Sequence, residues 1–256
     1  YTLSLHDALP ISSRFDKDNR WGNFFSFGGA WDITRENFMK DIDWVNFLKL
    51  RASYGEVGNN YVDDGTGNVN YYAYQALYFL DKNAGNGSLI KQSLSAKKLK
   101  WETTQTIDVA LEANLFNRLD LQFGYFNKRS KDLLFAVPLP SSAGAYIWSD
   151  NINLTQLQNI GSVVNRGWEL SANVDIIKSK DWKWNFGLDA TFMTNKIQNL
   201  PNGQDIINGT LRRYSEGHSI YEYYTYHFEG VDQMTGRSLY TLDETTSDKA
   251  KSAGAL

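Results

Sequence analysis

Apolar and polar residues alternate strictly along this chain in segments of about ten residues. Successive side chains of a β-strand point to opposite faces, so the pattern predicts strands with one apolar and one polar face. Six segments show the alternation clearly, and a seventh at 220–231 shows it more weakly. The six clear segments are residues 25–33, 48–55, 107–115, 119–125, 168–176 and 182–192.

The connections between these segments differ strongly in length. A tight turn at Asn117 and Arg118 and a four-residue link at 178–181 join two of the pairs. The other links are long, at 59–100, 132–160 and 195–219. Short turns at one end and long loops at the other are typical of outer-membrane barrels, whose short turns are periplasmic. The link 34–46 is longer than such a turn and is predicted to form one or two short helical turns.

Tryptophans sort to the ends of the predicted strands. Trp31, Trp182 and Trp184 fall at the short-turn end, whereas Trp101 and Trp168 fall at the other end. Aromatic belts at both membrane interfaces are expected for a barrel in lipid. The pattern therefore favours an all-β, antiparallel, up-and-down transmembrane β-barrel over a soluble β-sandwich, which alternation alone would also allow.

Composition narrows the function classes. The net charge is -3 and no basic stripe is present, so no nucleic-acid partner is expected. Cysteine is absent, and the three histidines show no ligand spacing, so neither a metal site nor a cofactor is expected. No nucleophile, phosphate-binding or dinucleotide motif is present, and the predicted protein is not an enzyme. Residues 63–68 have the oxygen ligands of a calcium loop but not its spacing.

Several ordered motifs resemble one family, the TonB-dependent outer-membrane transporters of the SusC/RagA type. They are SSRFDKDNRWGNFFSFGGAWDITRENFMK, WVNFLKLRASYGEVGN, LKWETTQTIDVALEANLFNRL, YFNKRSKDLL, NIGSVVNRGWELS and FEGVDQMTGRSLY. The resemblance covers about residues 13–240 and implies a partial barrel with about seven of an expected 22 strands.

The resemblance also divides the chain. Residues 13–231 are predicted to be the partial receptor barrel, and 232–256 the start of the next segment followed by a truncated tail. Residues 1–12 read as a non-native, adapter-like leader, because Pro10 and Ile11 stand where the family has Asp-Gly. No plug domain, TonB box or signal peptide is recognised. An open set of seven strands cannot close a barrel, so the isolated chain is expected to aggregate.

The resemblance implies import of oligosaccharides, or less often peptides, across the bacterial outer membrane. The expected partners are a SusD-like surface lipoprotein, outer-membrane lipid, and the TonB–ExbB–ExbD complex acting through the missing plug. Two alternatives remain open at this point: a passive porin-like barrel and a soluble carbohydrate-binding β-sandwich.

Aromatic residues in the long loops are the candidate ligand-binding residues, because their faces stack on sugar rings and their polar groups donate hydrogen bonds. The other interpretation is that these rings pack the loops against their neighbours or the partner lid. No catalytic residue and no metal ligand is predicted. The candidates are Tyr71, Tyr72, Tyr74 and Tyr78 in one loop and Tyr146 and Trp148 in the next.

Overall fold

A computed structural model describes residues 1–62, 69–83, 86–91, 94–138, 155–208 and 211–241. Strands dominate this part of the chain. They are β1 (Thr2–Ala8), β2 (Phe24–Asp32), β3 (Val45–Asn59), β4 (Tyr78–Asn83), β5 (Asn86–Lys91), β6 (Glu102–Leu115), β7 (Leu119–Lys131), β8 (Leu134–Pro138), β9 (Thr155–Asn159), β10 (Ser162–Lys178), β11 (Lys183–Asn199), β12 (Ile206–Asn208), β13 (Arg212–Tyr214), β14 (His227–Val231) and β15 (Ser238–Thr241).

Seven of these strands form one sheet in the order β1-β2-β3-β6-β7-β10-β11, and every neighbouring pair is antiparallel. The other strands pair as four small hairpins, β4–β5, β8–β9, β12–β13 and β14–β15. From β3 to β11, the sheet strands are 13 to 17 residues long. That exceeds the roughly 9–11 residues that a tilted strand needs to cross a bilayer.

The register gives the sheet two different faces, because period-two alternation in every strand is kept in phase by the antiparallel pairing. We call these the apolar face and the polar face. One row of the apolar face contains Trp31, Leu50, Leu111, Phe123, Leu170 and Ala190. One row of the polar face contains Asp32, Lys49, Glu112, Gln122, Ser171 and Asp189.

The two ends of the sheet also differ. At the short-turn end, residues 33–44, 116–118 and 179–182 connect the strands. Two short 3-10 helices, Ile33–Arg35 and Asn37–Met39, occupy the first of these links, which confirms the predicted helical turns. At the long-loop end, the chain makes its long excursions between β3 and β6 and between β7 and β10.

The β6–β7 turn lies one residue earlier than the sequence predicted. Its two central residues, Phe116 and Asn117, have φ of 57° and 54°, as a type I′ hairpin turn requires. A phenylalanine rarely adopts this conformation. Here the Phe116 ring stacks on Trp44 at 5.5 Å, and its backbone N–H donates to the Trp44 carbonyl (2.8 Å). The neighbouring link therefore holds the turn.

The predicted weak strand at 220–231 does not join the seven-stranded sheet. Its last part is β14, which pairs with β15 around a tight turn. The Asp232 side chain accepts from the Met234 N–H (3.0 Å) and from the Thr235 hydroxyl, and Gly236 has a φ of +70°. This local turn favours the hairpin. The seventh strand of the sheet is instead β1, which lies within the predicted leader 1–12; the non-native origin of that leader stays a prediction.

A small hydrophobic cluster, the loop core, lies at the long-loop end. Trp101 was expected in an interfacial belt, but it packs against this core instead. Its ring centroid lies 5.8 Å from that of Phe15 and 5.7 Å from that of Phe24, and its Nε1–H donates to the Arg20 carbonyl (3.0 Å). The buried members of the loop core are Phe15, Val62, Ala73, Ala96 and Leu99, with Trp101, Leu134 and Leu157 packed against them.

Candidate functional site

Three of the candidate tyrosines lie on one turn, residues 71–75, that the loop core holds in place. Ala73 is buried in that core and anchors the middle of the turn. The side chains of Tyr71 and Tyr72 on either side of the anchor remain 58% and 60% exposed. Tyr74 is half-buried, and its backbone carbonyl accepts from a neighbouring loop segment. The turn thus presents two exposed rings on a rigid base.

An arginine fixes the first of these rings. The Arg14 guanidinium carbon lies 5.3 Å from the centroid of the Tyr71 ring, a cation–π contact. The Arg14 Nη1 also donates to the backbone carbonyl (2.9 Å) and the side-chain oxygen (3.0 Å) of Asn60. The Asn60 amide in turn donates to the Ser12 hydroxyl (3.2 Å). This chain of contacts orients the Tyr71 ring before any ligand arrives.

Among the described residues, one further candidate, Tyr78, is not brought to this turn. Tyr78 begins β4 in a separate hairpin, where it is 54% exposed. Tyr146 and Trp148 lie outside the described residues. The structure therefore assembles Tyr71, Tyr72 and Tyr74 on one turn. Exposed aromatic rings with hydroxyl groups can stack on a sugar ring or on a peptide side chain and supply hydrogen bonds at the ring edge.

A charged network lies on the polar face of β3 and β6. Arg51 bridges two carboxylates, with its Nη1 2.7 Å from the Asp108 Oδ1 and its Nε 3.0 Å from the Glu112 Oε1. The second oxygen of Glu112 lies 3.4 Å from the Lys49 Nζ. Two cations and two anions thus form one alternating cluster. The polar face also carries Glu169 and Asp189.

A second group of aromatic and cationic residues was not singled out from the sequence. The Arg213 guanidinium lies 4.1 Å from the Tyr224 ring centroid, and that of Arg212 lies 5.8 Å from the Tyr223 ring. Tyr223 is 72% exposed. The run YEYYTY at 221–226 is the signal that could have identified this group. Reading the run as part of a strand hid it.

A buried asparagine on β11 ties this second group to the sheet. The Asn195 amide donates to the Asn165 side-chain oxygen (2.5 Å) across the β10–β11 pair. The Asn195 oxygen accepts from the Ser219 hydroxyl (3.0 Å) and the Ile220 N–H (2.9 Å). One side chain therefore links residues 219 and 220 to the β10–β11 pair near the end of β11.

Glu222 closes the same segment. One of its oxygens accepts from the Ser219 N–H (3.2 Å), and the other lies 2.8 Å from the His218 Nδ1. The Ser219 N–H and then the His218 ring hold the pKa of Glu222 below its usual value. The negatively charged carboxylate thus holds residues 218–222 together.

Within the described part of the chain, no group of three or more histidine, cysteine, aspartate or glutamate side chains could hold a metal ion. None of the helices in these same ranges is long and apolar enough to cross a membrane.

The two-faced antiparallel sheet, with short turns at one end and long loops at the other, defines a β-barrel wall of the outer-membrane type. The family model described as TonB dependent receptor-like, beta-barrel matches residues 6–249. The chain belongs to this family. The match begins at residue 6, inside the predicted leader, and members of this family are outer-membrane proteins in bacteria.

Individual relatives agree with the family. TonB-dependent receptor P3 of Formosa agariphila is 32% identical over 87% of this chain, and TonB-dependent receptor SusC of Bacteroides thetaiotaomicron is 34% identical over 76% of it. The RagAB peptide importer in its open-open state superposes with a TM-score of 0.78 at 26% identity over 96% of this chain. The predicted SusC/RagA type is confirmed.

The chain is short beside these proteins. It spans 22% of the length of receptor P3, 19% of SusC and 25% of the RagAB chain. The partial, unclosed barrel predicted from the sequence is confirmed.

Proposed function

We propose that this chain forms part of the wall and outer mouth of a TonB-dependent transporter that imports oligosaccharides or peptides across the bacterial outer membrane. The observation that carries the proposal is the sheet with its two faces. A continuous apolar face suits lipid, and a charged face directly behind it suits a water-filled lumen. A soluble sandwich would use the apolar face as a core against a second sheet.

The charged network supports the lumen assignment. Arg51, Asp108 and Glu112 lie in the middle of long strands, where a lipid environment would make their burial costly. They face away from the apolar rows, and each charge has a partner. In a closed barrel this cluster would line the path of the solute or contact the plug.

Two observations support the proposed substrate class. Tyr71 and Tyr72 offer exposed rings on a rigid turn, which suits stacking on sugars or on peptide side chains. One solved relative, RagAB, is a peptide importer, and SusC is a related receptor. We infer that the ligand is an oligosaccharide or a short peptide bound at this mouth, without catalytic chemistry on this chain.

Two partners belong to the same proposal. A SusD-like lipoprotein would cover the long-loop end and share the ligand with the tyrosine turn. A lumen of about 22 strands is wide and has to be plugged, so opening needs work delivered by TonB–ExbB–ExbD.

Uptake measurements test the energy requirement. Cells that express the complete transporter should accumulate a labelled oligosaccharide or peptide substrate only when TonB is present. Deletion of TonB should reduce uptake to the level of cells without the transporter. Uptake that continues at an unchanged rate without TonB would establish a passive barrel and contradict the proposal.

Substitution of the exposed rings tests the binding surface. Changing both Tyr71 and Tyr72 to Ala in the complete transporter should weaken ligand binding about 10-fold or more, because two stacking contacts are lost. Isothermal titration with the purified transporter measures this loss. Tyr240→Ala is the control, because Tyr240 is similarly exposed (53%) but lies on the separate β14–β15 hairpin. If the wild type, the double variant and the Tyr240→Ala control bind the ligand with equal affinity, the tyrosine turn is not part of the binding site.

A further inference from the structure

Near the long-loop end, the part of the apolar face that lies on β7, β10 and β11 gives way to basic residues. Val109, Tyr125, Trp168 and Phe192 form one cross-strand row of the apolar face. On β10, the next residue toward the long loops on the same face is Arg166. The following row pairs Arg129 with Val164 and Val164 with Lys196.

We call Arg129, Arg166 and Lys196 the basic patch. Arg166 is the diagonal neighbour of the other two, one strand and two residues away from each. Neighbouring strands lie about 4.8 Å apart and alternate residues about 7 Å apart along a strand, so the three positions fit within roughly 10 Å. A fourth cation, Lys131, follows Arg129 on the same face of β7. Three strands thus place their cations over one small area.

Within the part of the chain that the structure describes, these cations have no anionic partner. Among the described residues, none of the three forms an ion pair or a side-chain hydrogen bond, and the buried Nε of Arg129 has no hydrogen-bond partner. The nearest acidic residue in these rows is Glu56, which is separated from Arg129 by Gln105. Its Oε1 already accepts from the Tyr54 hydroxyl (2.6 Å) and the Gln105 amide (2.7 Å). The positive charge of the patch is therefore left for an external anion.

A groove lined in part by three aromatic rings adjoins the patch. It has a volume of about 620 Å³, and Tyr125, Trp168 and Phe192 line it together with Arg166 and Thr194. The Trp168 ring stacks on Phe123 at 5.2 Å and packs on Tyr125 at 4.8 Å, so these contacts hold the Trp168 side of the groove in place. Arg166 belongs to both the groove and the patch. One ligand could therefore occupy both at once if it had an apolar chain and an anionic head.

We propose that the basic patch and this groove bind the phosphate-bearing headgroup of a lipid in the membrane leaflet next to the long loops, with an acyl chain in the groove. Unpaired cations on a lipid-facing surface are costly unless an anion neutralises them. Guanidinium groups bind two phosphate oxygens at once. The patch should therefore prefer a phosphate-bearing headgroup to an uncharged sugar headgroup. The inference rests on the membrane placement proposed above and not on the identity of the transported solute.

Native mass spectrometry of the complete, detergent-purified transporter tests this site. The probes are lipid A with two phosphates, its dephosphorylated form, and inorganic phosphate. The wild-type transporter should bind phosphorylated lipid A at least 10-fold more tightly than either other probe. The triple variant Arg129→Gln, Arg166→Gln, Lys196→Gln should lose at least 10-fold of that affinity, because binding depends on the three charges.

Lys128→Gln is the matched control. Lys128 pairs with Asn165 at nearly the same height as the patch but lies on the polar face, so its removal should leave lipid binding unchanged. The single Arg166→Gln variant, which alters one exposed side chain, gives a second measurement if the triple variant does not fold. Equal binding of both lipids, or wild-type affinity in the Arg166 and triple variants, would overturn the proposal. Normal TonB-dependent uptake with lost lipid binding would separate this site from the transport function.

Discussion

At the scale of single residues, polar side chains hold the long-loop end together where the strand ladder stops. Glu102, the first residue of β6, accepts from the Asn59 amide (2.7 Å) and from the Leu134 N–H (2.7 Å). It thereby joins the ends of three strands. Asn195 links the segment after β11 to the sheet, because its side-chain oxygen accepts from the Ser219 hydroxyl and the Ile220 N–H. Such bonds satisfy backbone groups that a ladder would otherwise satisfy. The loops are therefore positioned by a few identifiable side chains.

Glu222 provides a pH-dependent member of this set. Its pKa is lower in the folded protein than in the unfolded chain, so its carboxylate stabilises residues 218–222 at pH values above the unfolded pKa. That contribution is lost as the pH falls through the lowered folded-state pKa. Hydrogen exchange of the Ser219 N–H in the complete transporter, corrected for intrinsic rates, should show lower protection near pH 3 than at pH 7.

The Glu222→Gln variant isolates this effect. A neutral amide does not titrate, so protection of Ser219 in the variant should be lower at pH 7 and should no longer change between pH 7 and pH 3. The backbone of β10 is the internal reference, because its ladder contains no bond to Glu222. A variant whose protection still falls with pH as in the wild type would show that another group controls this segment.

At the scale of elements, the packing of the loop core depends on a glycine in β3. A Cβ at Gly58 would lie 2.1 Å from the Cζ of Phe24, and this ring is buried and packs on Trp101. The ring has little room to move. Gly55 lies three residues earlier, and a Cβ there would be 3.4 Å from the Ser26 Cβ, an ordinary contact.

This difference gives a paired prediction. Gly58→Ala should overpack the loop core and lower the free energy needed to open it by about 1–2 kcal/mol. Hydrogen exchange of the Ala96 N–H should then be roughly 5- to 30-fold faster. Gly55→Ala should change that rate less than twofold. Both can be measured by hydrogen exchange in the complete transporter. If the two variants behave alike, the Phe24 ring is not confined as the structure indicates.

Much of the sheet could be predicted because period-two alternation directly encodes its two faces. The six clear segments all became strands of the sheet, for example β6 at Glu102–Leu115 and β10 at Ser162–Lys178. Strand ends were less predictable, because polar residues beyond the apolar band continue the ladder without alternating. The prediction that 220–231 forms a strand of the main sheet was wrong for a further reason. Alternation does not distinguish a strand of a large sheet from a strand of a local hairpin such as β14–β15.

The candidate site was only partly predictable. Tyrosines in a long loop indicated a binding surface, but no local pattern indicates that Arg14 reaches Tyr71 from 57 residues away. The same limit explains why the sequence placed Trp101 in an interfacial belt. Its position at a strand end is compatible both with such a belt and with packing against the loop core. The basic patch could not be predicted from the sequence, because its three cations are far apart along the chain. Only the register of β7, β10 and β11 brings them together. Tertiary register carries information that a single strand does not.

At the scale of the whole molecule, the sheet is open within the described residues. The outer edge of β11 has no strand partner in the sheet, although this strand is 17 residues long. The apolar face of the sheet is also uncovered. For example, Leu111 is 39% exposed, Phe123 is 47% exposed and Leu188 is 49% exposed. A long free edge beside an exposed apolar surface promotes intermolecular pairing. In a closed barrel, neighbouring strands and lipid would cover both.

The isolated chain is therefore expected to aggregate in detergent-free buffer and to disperse in detergent micelles, which cover the apolar face. Changing Leu111, Phe123 and Leu188 together to Thr should raise the fraction that stays in solution after ultracentrifugation, because the apolar rows are interrupted while β-propensity is kept. The control changes Glu112, Gln122 and Asp189 to Thr, in one row of the polar face. It should not raise solubility, since that surface already tolerates water. A soluble, cooperatively melting monomer of the unaltered chain in plain buffer would instead indicate that the apolar face packs within the molecule, and would refute its assignment to lipid.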